Sequence, residues 1–402
     1  MRIPRALAVV SAVLAAATAA LPAGTARADS VPPEKDAFYQ PPAPLPPGRP
    51  GDVIRSRTAN YPMSSSVTST QVLYRSVNAT GQDIAVSGTV LVPKAPWSGG
   101  GARPLISYAV GTRGIGDECA PSYTLSQGLD YEQFFINDLL NKGWAVAVTD
   151  MEGLGTPGIH TYTVGQSEGR AVLDMARAAE RLPSSGLPAD TPVGLLGYSQ
   201  GGGSTGWAAQ LAASYAPELK IKGASAGGVP GDLVAVGKSL DGGLGMGLAF
   251  LSAVGYDTAY PELKLDGYLN DAGRKLLAAD KDVCLLSADG VGAIGNTAFR
   301  HITDFTTKSP LDSPAWLARF AENKLGGTKP SMPVFQGHAA LDELVPYGQA
   351  DELHKTWCKA GTNLTWQTYP FAEHALGLPM SWPDETNFLS DRFQGKPTSG
   401  NC

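Results

Sequence analysis

The chain has 402 residues, of which 43% are hydrophobic and 17% charged, a composition typical of globular proteins and unlike that of disordered or membrane-embedded chains. Its formal net charge is −6, so the sequence lacks the basic excess expected of proteins that bind nucleic acids or anionic membranes. A chain of this length accommodates one large domain with an insertion, or two domains.

The N-terminus has the pattern of an export signal. Arg2 and Arg5 precede a run of small apolar residues over 6–20, and the residues up to Ala28 suit cleavage by a signal peptidase. The run is shorter than the ~20 residues that span a bilayer, and no later segment is long and apolar enough. We therefore expect residues 1–28 to be a signal peptide, no transmembrane segment, and a secreted mature chain.

The next part of the chain predicts an arm followed by a hairpin. Prolines crowd residues 31–51, and we expect a Pro-rich arm over residues 29–60 that lies extended on the surface. Residues 72–74 and 84–92 are strand-like and flank a turn cluster at Asn78–Gly81. These two segments predict an antiparallel hairpin at the edge of a sheet.

Buried strands then alternate with helices along the chain. Short apolar runs predict strands at residues 104–110, 144–149 and 193–196, and longer segments predict helices at 132–141, 168–182 and 203–215. This alternation is typical of an α/β fold with a mostly parallel sheet and helices on both faces.

The alternation stops at about Gly231 and resumes near residue 333. Residues 231–325 look helical and glycine-rich, and strands return at 333–337 and 364–369. The sequence therefore predicts a core in two parts, residues 61–230 and 326–402, with a helical cap at 231–325. Such an insertion usually covers the C-terminal edge of the strands, where open α/β sheets bind ligands.

A candidate nucleophile lies between a buried strand and a helix of small residues. The segment Gly197–Gly201 reads Gly-Tyr-Ser-Gln-Gly and fits the G-x-S-x-G pattern of the α/β-hydrolase fold. That chemistry needs the serine on a sharp strand-to-helix turn, where flanking glycines relieve crowding. Ser199 is therefore the predicted nucleophile; the alternative is an ordinary glycine-rich turn.

A serine needs a histidine as its base and an acid to orient that histidine. The chain has five histidines, at positions 160, 301, 338, 354 and 374. In this fold the order along the chain is Ser, acid, His, which favours His374, just after the last predicted strand. Asp342 follows the preceding strand and is the predicted acid, with Glu343 as the runner-up.

The oxyanion of an acyl-transfer reaction needs two backbone N–H donors. One is expected from Gln200, the residue after the nucleophile. The other is expected from the glycine-containing loop that follows the strand at 104–110, where Thr112 and Arg113 are both candidates. The alternative for this loop is a tight turn without a catalytic role.

The mature chain keeps four cysteines, Cys119, Cys284, Cys358 and Cys402. An even number in an exported chain favours two disulfides, and three pairings are open from the residues alone. No metal site is expected, because the chain has neither a C-x-x-C motif nor a Cys/His cluster.

The cap contains one stretch that is more apolar than the rest. Residues 244–256 are predicted to line an acyl tunnel, with an ordinary buried helix as the alternative. The tunnel candidates are Leu244, Met246, Leu248, Phe250 and Leu251.

Several segments together resemble the secretory lipase family, over nearly the whole mature chain. They are residues 107–110, 117–122, 150–155, 165–170, 197–202, 342–346 and 372–374. The resemblance implies an α/β-hydrolase core with a helical cap, acting on acylglycerols or shorter esters without a cofactor. It places the triad on Ser199, Asp342 and His374, and it implies Cys119–Cys284 and Cys358–Cys402 disulfides.

Two positions depart from the family pattern. The family's oxyanion aspartate falls on Arg113, so that contact would rest on the backbone. Only 28 residues follow His374 in the 402-residue sequence, which argues against the mobile flap that the yeast-type relatives form there.

The sequence thus predicts a secreted serine ester hydrolase, a triacylglycerol lipase or a carboxylesterase. A carboxylic ester is the expected partner, and the enzyme is expected to be a monomer that works in part at a lipid–water interface. The alternatives are a peptidase or acyltransferase on the same scaffold, or an inactive cell-surface binding protein.

Overall fold

The computed structural model describes residues 31–402, so the predicted signal peptide lies outside the described residues. Their strands are β1 (Val53–Ala59), β2 (Val67–Val77), β3 (Asp83–Pro93), β4 (Leu105–Ala109), β5 (Ala145–Thr149), β6 (Pro192–Tyr198), β7 (Lys220–Gly227), β8 (Val334–Ala339) and β9 (Leu364–Tyr369). They form one sheet in the order β1-β2-β3-β5-β4-β6-β7-β8-β9.

The sheet is antiparallel at one end and parallel over the rest. Strands β1, β2 and β3 pair antiparallel, and β3 joins β5 in the same sense. From β5 to β9 every neighbouring pair is parallel. The predicted α/β class is confirmed. The predicted hairpin forms from β2 and β3, but it lies one strand in from the edge, because β1 pairs outside β2. Strand β1 occupies the end of the segment predicted as an extended arm, and neither β1 nor β7 was among the predicted elements.

The helices fall between the strands and within the insertion. They are α1 (Pro121–Gln127), α2 (Gln133–Asn141), α3 (Gly165–Arg181), α4 (Gln200–Tyr215), α5 (Leu233–Leu240), α6 (Met246–Ala259), α7 (Asp271–Asp280), α8 (Ala288–Thr297), α9 (Ile302–Phe305), α10 (Pro314–Glu322), α11 (Tyr347–Lys359) and α12 (His374–Phe393). The helix after the nucleophile begins at Gln200, three residues before its predicted start.

Two apolar layers cover the two faces of the sheet. Because side chains alternate along a strand, Leu105 and Ala109 of β4 join the layer beneath α3 and α4. Ile106 and Tyr108 join the opposite layer, beneath α2 and α12. The central strands are buried on both faces, which explains why the sequence shows them as continuous apolar runs.

The segment between β7 and β8 forms a helical unit with its own core. Helices α5–α10 lie in it, and its buried residues include Phe250, Tyr256, Trp316 and Phe320. Tyr162, from the loop before α3, belongs to the same apolar cluster. This cluster joins the helical unit, which corresponds to the predicted cap, to the loop before α3.

The proline-rich arm is held against the sheet by Tyr39. The ring is fully buried, and its hydroxyl lies 2.9 Å from Ser122 Oγ. The Ser122 N–H in turn donates to Asp150 Oδ1 over 2.6 Å. Within residues 31–402, we find no helix with the length and hydropathy of a membrane span.

Candidate active site

Ser199 lies on a strained turn between β6 and α4. Its backbone has φ 61° and ψ −123°, a positive φ that non-glycine residues rarely adopt and that functional sites often retain. The Ser199 N–H donates to Gly227 O over 3.0 Å, which ties the turn to strand β7. The hydroxyl is thereby presented at the strand ends, beneath the cap.

The glycines around Ser199 are required by close backbone contacts. A Cβ on Gly201 would lie 2.0 Å from Ala109 O, and one on Gly202 would lie 2.0 Å from Gly227 O. Helix α4 therefore begins immediately after the serine and packs directly on the ends of the neighbouring strands. This packing accounts for the early start of the helix, since the glycines form its first turn.

Ser199, His374 and Asp342 form one hydrogen-bonded chain. The His374 Nε2 atom lies 2.8 Å from Ser199 Oγ, and the Nδ1 atom lies 2.7 Å from Asp342 Oδ2. His374 is the first residue of α12, and Asp342 follows β8. The structure thus brings together the three predicted side chains, although Ser199 and Asp342 are more than 140 positions apart in the sequence.

The aspartate is fixed by backbone donors as well as by the imidazole. Its other oxygen, Oδ1, accepts the N–H groups of Leu344 at 3.1 Å and Val345 at 2.7 Å. Glu343 instead accepts the backbone N–H of His374 at 3.1 Å. The runner-up acid therefore contacts the histidine's backbone, whereas Asp342 contacts its ring.

A second histidine lies behind Asp342. The His338 ring is buried, its Nε2 lies 2.9 Å from Val345 O, and the same atom lies 3.6 Å from Asp342 Oδ2. Burial lowers the pKa of this imidazole. A neutral His338 leaves the Asp342 carboxylate available to His374, the only histidine ring within 3 Å of it among the described residues.

The loop after β4 is held by a buried ion cluster. The Arg113 guanidinium donates to both oxygens of Asp130, at 2.8 and 2.9 Å, and to Glu132 at 3.2 Å. Glu132 also accepts the Gly111 N–H at 3.0 Å. Nothing among residues 31–402 accepts the backbone N–H of Thr112 or of Arg113 within hydrogen-bond distance, so both remain candidates for the oxyanion contact.

This loop is also attached to the cap. A disulfide joins Cys119 to Cys284, and the Leu285 N–H donates to Arg113 O over 2.8 Å. The other disulfide joins Cys358 to Cys402. Both pairings are those that the family resemblance implies.

A buried polar network supports Gln200 from behind. Its side-chain Nε2 lies 2.8 Å from His160 Nε2 and 2.7 Å from Glu168 Oε1. Ser204 donates to the second oxygen of Glu168 over 2.7 Å, and the Thr163 N–H donates to the first over 2.8 Å. Gln200 is thereby anchored through its side chain while its N–H lies at the start of α4, where a helix leaves N–H groups without intrahelical acceptors.

Burial sets the charge states in this network. It lowers the pKa of His160 to about 4 and, despite hydrogen bonds from Ser204 and Gln200, raises the pKa of Glu168 to about 7. His160 Nδ1 lies 2.7 Å from Glu152 O, so a neutral His160 donates there and accepts from Gln200. His160 precedes Ser199 in the chain, so the order Ser, acid, His does not favour it as the base. The segment 165–170, which carries part of the family resemblance, was the available signal for Glu168.

An apolar cavity opens at Ser199. It encloses about 960 Å³ of empty space, part of it open to solvent, between the triad and the cap. Ser199, Gln200 and His374 line one end. The cap supplies mostly apolar lining side chains, among them Leu233, Val236, Leu240, Phe305 and Leu311.

Helix α6 presents three of the five tunnel candidates to this cavity. Met246, Leu248 and Phe250 line it, whereas Leu244 and Leu251 do not. Leu251 projects from the opposite side of α6, about 160° from the middle of the lining face at 100° per residue, and packs on the cap core. Leu244 lies in the turn before the helix begins.

The chain matches the family model described as secretory lipase over residues 120–401. It is 35% identical over 385 residues to a Mycobacterium tuberculosis protein named a probable inactive lipase, covering 91% of this chain and 83% of the relative. It is 31% identical to a secreted triacylglycerol lipase of Malassezia globosa, covering 92% and 81%.

The fold is also similar to a solved structure of Candida antarctica lipase A in its closed state. The two superimpose with a TM-score of 0.83 at 29% identity, over 92% of this chain and 89% of that one.

Proposed function

Because the chain belongs to the secretory lipase family, we propose that it is an exported serine hydrolase that cleaves carboxylic esters through a covalent acyl-enzyme. The observation that carries this proposal is the chain of hydrogen bonds from Ser199 through His374 to Asp342, at the mouth of an apolar cavity. Export is supported by the N-terminal sequence pattern and by relatives that are named secreted lipases.

The triad supports acyl transfer in two balanced halves. His374 Nε2 takes the proton of Ser199 as Oγ attacks the ester carbonyl, and Asp342 stabilises the resulting imidazolium. The tetrahedral intermediate then collapses, the C–O bond to the alcohol breaks, and His374 returns the proton to the departing alcohol. Water, activated by the same imidazole, hydrolyses the acyl-serine and regenerates the free enzyme.

The developing oxyanion is bound by backbone N–H groups. Gln200 supplies one, held in place by Glu168 and His160 through its side chain. The loop after β4 supplies the second, at Thr112 or Arg113, and the buried ion cluster and the Cys119–Cys284 disulfide fix that loop. Donors that are already fixed in position need little reorganisation as negative charge develops on the oxygen. They therefore stabilise the transition state more than the ground state, which raises the rate.

Acylglycerols are the substrate class that the cavity favours. A cavity lined mostly by apolar side chains of the cap accepts an aliphatic acyl chain, while Ser199 lies at its polar end. A relative with 31% identity is named a secreted triacylglycerol lipase, which agrees with that choice. The alternative of an inactive protein has its own support, since another relative is named a probable inactive lipase.

Turnover of p-nitrophenyl esters of graded acyl length, by the wild type and by Ser199→Ala, tests the proposal. We expect hydrolysis by the wild type and a loss on the order of 10⁴- to 10⁶-fold in kcat for the variant. Glu343→Gln is the matched control, because it alters a neighbouring carboxylate that does not contact the His374 ring.

The pattern of activity separates the candidate functions. A profile that extends to long acyl chains supports a lipase, and one confined to short chains supports a carboxylesterase. If the wild type turns over no ester while its circular dichroism shows a folded protein, the inactive alternative replaces the proposal.

A further inference from the structure

An exposed apolar surface lies on the loop that carries Asp342 and on the segment that runs from the end of β9 through His374 into α12. Four of its side chains are strongly exposed: Phe371 at 84%, Leu341 at 62%, Leu376 at 51% and Met380 at 42%. Monomeric proteins seldom leave large apolar side chains clustered at the surface without a binding role. We call this surface the apolar rim, formed by Leu341, Phe371, Ala375, Leu376, Pro379, Met380 and Pro383.

Helix α12 contributes most of the apolar rim through its periodicity. Between residues 374 and 383 its exposed positions are residues 375, 376, 379, 380 and 383, and all five are apolar. The positions between them, including Leu378 and Trp382, are buried against the sheet. A helix at a protein surface normally presents polar residues to water. The start of this helix is apolar on its buried face, which packs on the sheet, and also on its exposed face, which no packing within the chain explains.

The apolar rim is continuous with the active site. The Leu341 N–H donates to Ala372 O over 3.0 Å, which holds the two loops side by side. Asp342 directly follows Leu341, and His374 lies between Phe371 and Leu376 in sequence. Both loops also reach the cavity, because Leu344, Val345 and His374 line it. A surface that covers the rim would therefore lie against the same two segments that line the triad end of the cavity.

The two segments that form the apolar rim carry charges of one sign. Neither residues 330–354 nor residues 360–391 contain a lysine or an arginine. Glu343, Glu373 and Asp384 are at least partly exposed there. On helix α2, which contacts α12, Lys142 pairs with Asp138 at 3.5 Å. An anionic surface would be repelled by this arrangement.

We propose that the apolar rim docks the protein on an uncharged lipid surface, such as the face of a neutral acylglycerol droplet, and that its acidic border excludes anionic membranes. This proposal rests on the proposed function, because it names the physical form of the substrate that reaches Ser199. A second copy is a poorer occupant, since an isologous contact would bring the acidic borders of both copies together.

Droplet binding tests the proposal without requiring hydrolysis. The parent protein is Ser199→Ala, which leaves the lipid intact, and the probe is a triolein emulsion coated with phosphatidylcholine. We expect the parent to partition onto the droplets, and we expect added Phe371→Ser, Leu376→Ser and Met380→Ser together to weaken partitioning on the order of a hundredfold. Leu317→Ser, which removes an exposed leucine on α10, should change it little.

A second pair of emulsions tests the acidic border. Adding phosphatidylserine to the droplet coat should weaken binding of the parent by about tenfold at low salt, and added salt should restore much of it. The substitutions Glu373→Gln and Asp384→Asn remove charge with little change of shape. Together they should reduce the difference between the two coats.

Each result decides for or against the proposal. Equal partitioning of the parent and the triple variant, with matching near-ultraviolet circular dichroism, would overturn the role of the apolar rim. Tighter binding to the anionic coat would overturn the role of the acidic border. A concentration-dependent dimer in light scattering that the triple variant abolishes would assign the rim to a second copy instead. Because the parent has no nucleophile, these outcomes are independent of whether the wild type hydrolyses esters.

Discussion

The strand-end loops and the cap meet at Ser199, but they are organised by different interactions. In the loops, the catalytic groups are held by specific hydrogen bonds: Asp342 alone accepts one imidazole and two backbone N–H groups. In the cap, the cavity is bounded by aliphatic and aromatic side chains. Single atoms should therefore matter in the loops, whereas volume and shape should matter in the cap.

The largest effect is expected from the base. His374→Ala leaves Ser199 without a proton acceptor, and kcat for a short p-nitrophenyl ester should fall by about 10⁴- to 10⁶-fold. His354→Ala is the control, since this histidine stacks on Trp366 at a ring distance of 4.8 Å and lies outside the triad. A residual rate within tenfold of the wild type would show that another group acts as base.

The acid should matter less than the base. Asp342→Asn keeps the shape of the side chain but removes the negative charge that holds the His374 ring in the required tautomer and stabilises its protonated form. We therefore expect kcat to fall by about 10³- to 10⁴-fold. Glu343→Gln removes the neighbouring negative charge and should cost less than about tenfold, because it contacts only a backbone N–H. A reversed order of these two variants would make Glu343 the orienting acid.

The network behind Gln200 should have a moderate effect on kcat. Glu168→Gln replaces a carboxylate, which only accepts, with an amide whose NH2 group can face the NH2 group of Gln200 and make no hydrogen bond with it. We expect kcat to fall about tenfold with little change in KM. Ser204→Ala is the control, since it leaves the Gln200 contact with Glu168 intact. A raised KM with unchanged kcat in Glu168→Gln would instead assign the network to substrate binding.

The same network predicts a pH response with a definite sign. Burial raises the pKa of Glu168 to about 7, so the carboxylate form that accepts from Gln200 is lost as the pH falls below 7. His160 has its pKa lowered to about 4 and stays neutral over that range, and Glu152 contacts its ring only through a backbone oxygen. A kcat profile of the wild type should therefore contain an inflection near pH 7 that Glu168→Gln lacks. Identical pH profiles for the wild type and Glu168→Gln would show that the ionisation of Glu168 does not affect kcat.

The cap should respond to volume, and only for long substrates. Gly237 on α5 lines the cavity, and a Cβ there would meet only Leu311 side-chain carbons at 3.5 Å. Gly237→Leu should lower kcat/KM for long acyl esters about tenfold and leave short esters nearly unchanged. Gly292→Leu is the matched control, because Gly292 lies on a cap helix where an added Cβ meets nothing within 4 Å. Equal losses for short and long esters would contradict the tunnel.

The sequence was sufficient for the parts of the molecule that follow short-range rules. Apolar runs predicted β4, β5, β6 and β8 because both faces of the sheet are covered there. Strand β7 was missed, because it begins with lysines and continues in small residues rather than in an apolar run. The order of Ser199, Asp342 and His374 followed from the fold's known arrangement.

Other features depend on contacts that no local pattern encodes. Strand β1 carries polar and charged residues at its exposed positions, so it has no clear alternation. The contacts of His160 and Glu168 with Gln200 join three separate segments. Which side of α6 faces the cavity, and hence the different positions of Phe250 and Leu251, depends on how the cap sits over the sheet.

The central claim, that Ser199 is an activated nucleophile, is tested most directly by covalent labelling. The wild type is treated with diethyl p-nitrophenyl phosphate, and the adduct is located by mass spectrometry of the digested chain. The account predicts one diethylphosphoryl group on Ser199, formed with release of p-nitrophenol, absent in Ser199→Ala and strongly slowed in His374→Ala. An unlabelled wild-type protein, or a label on another residue, would contradict it.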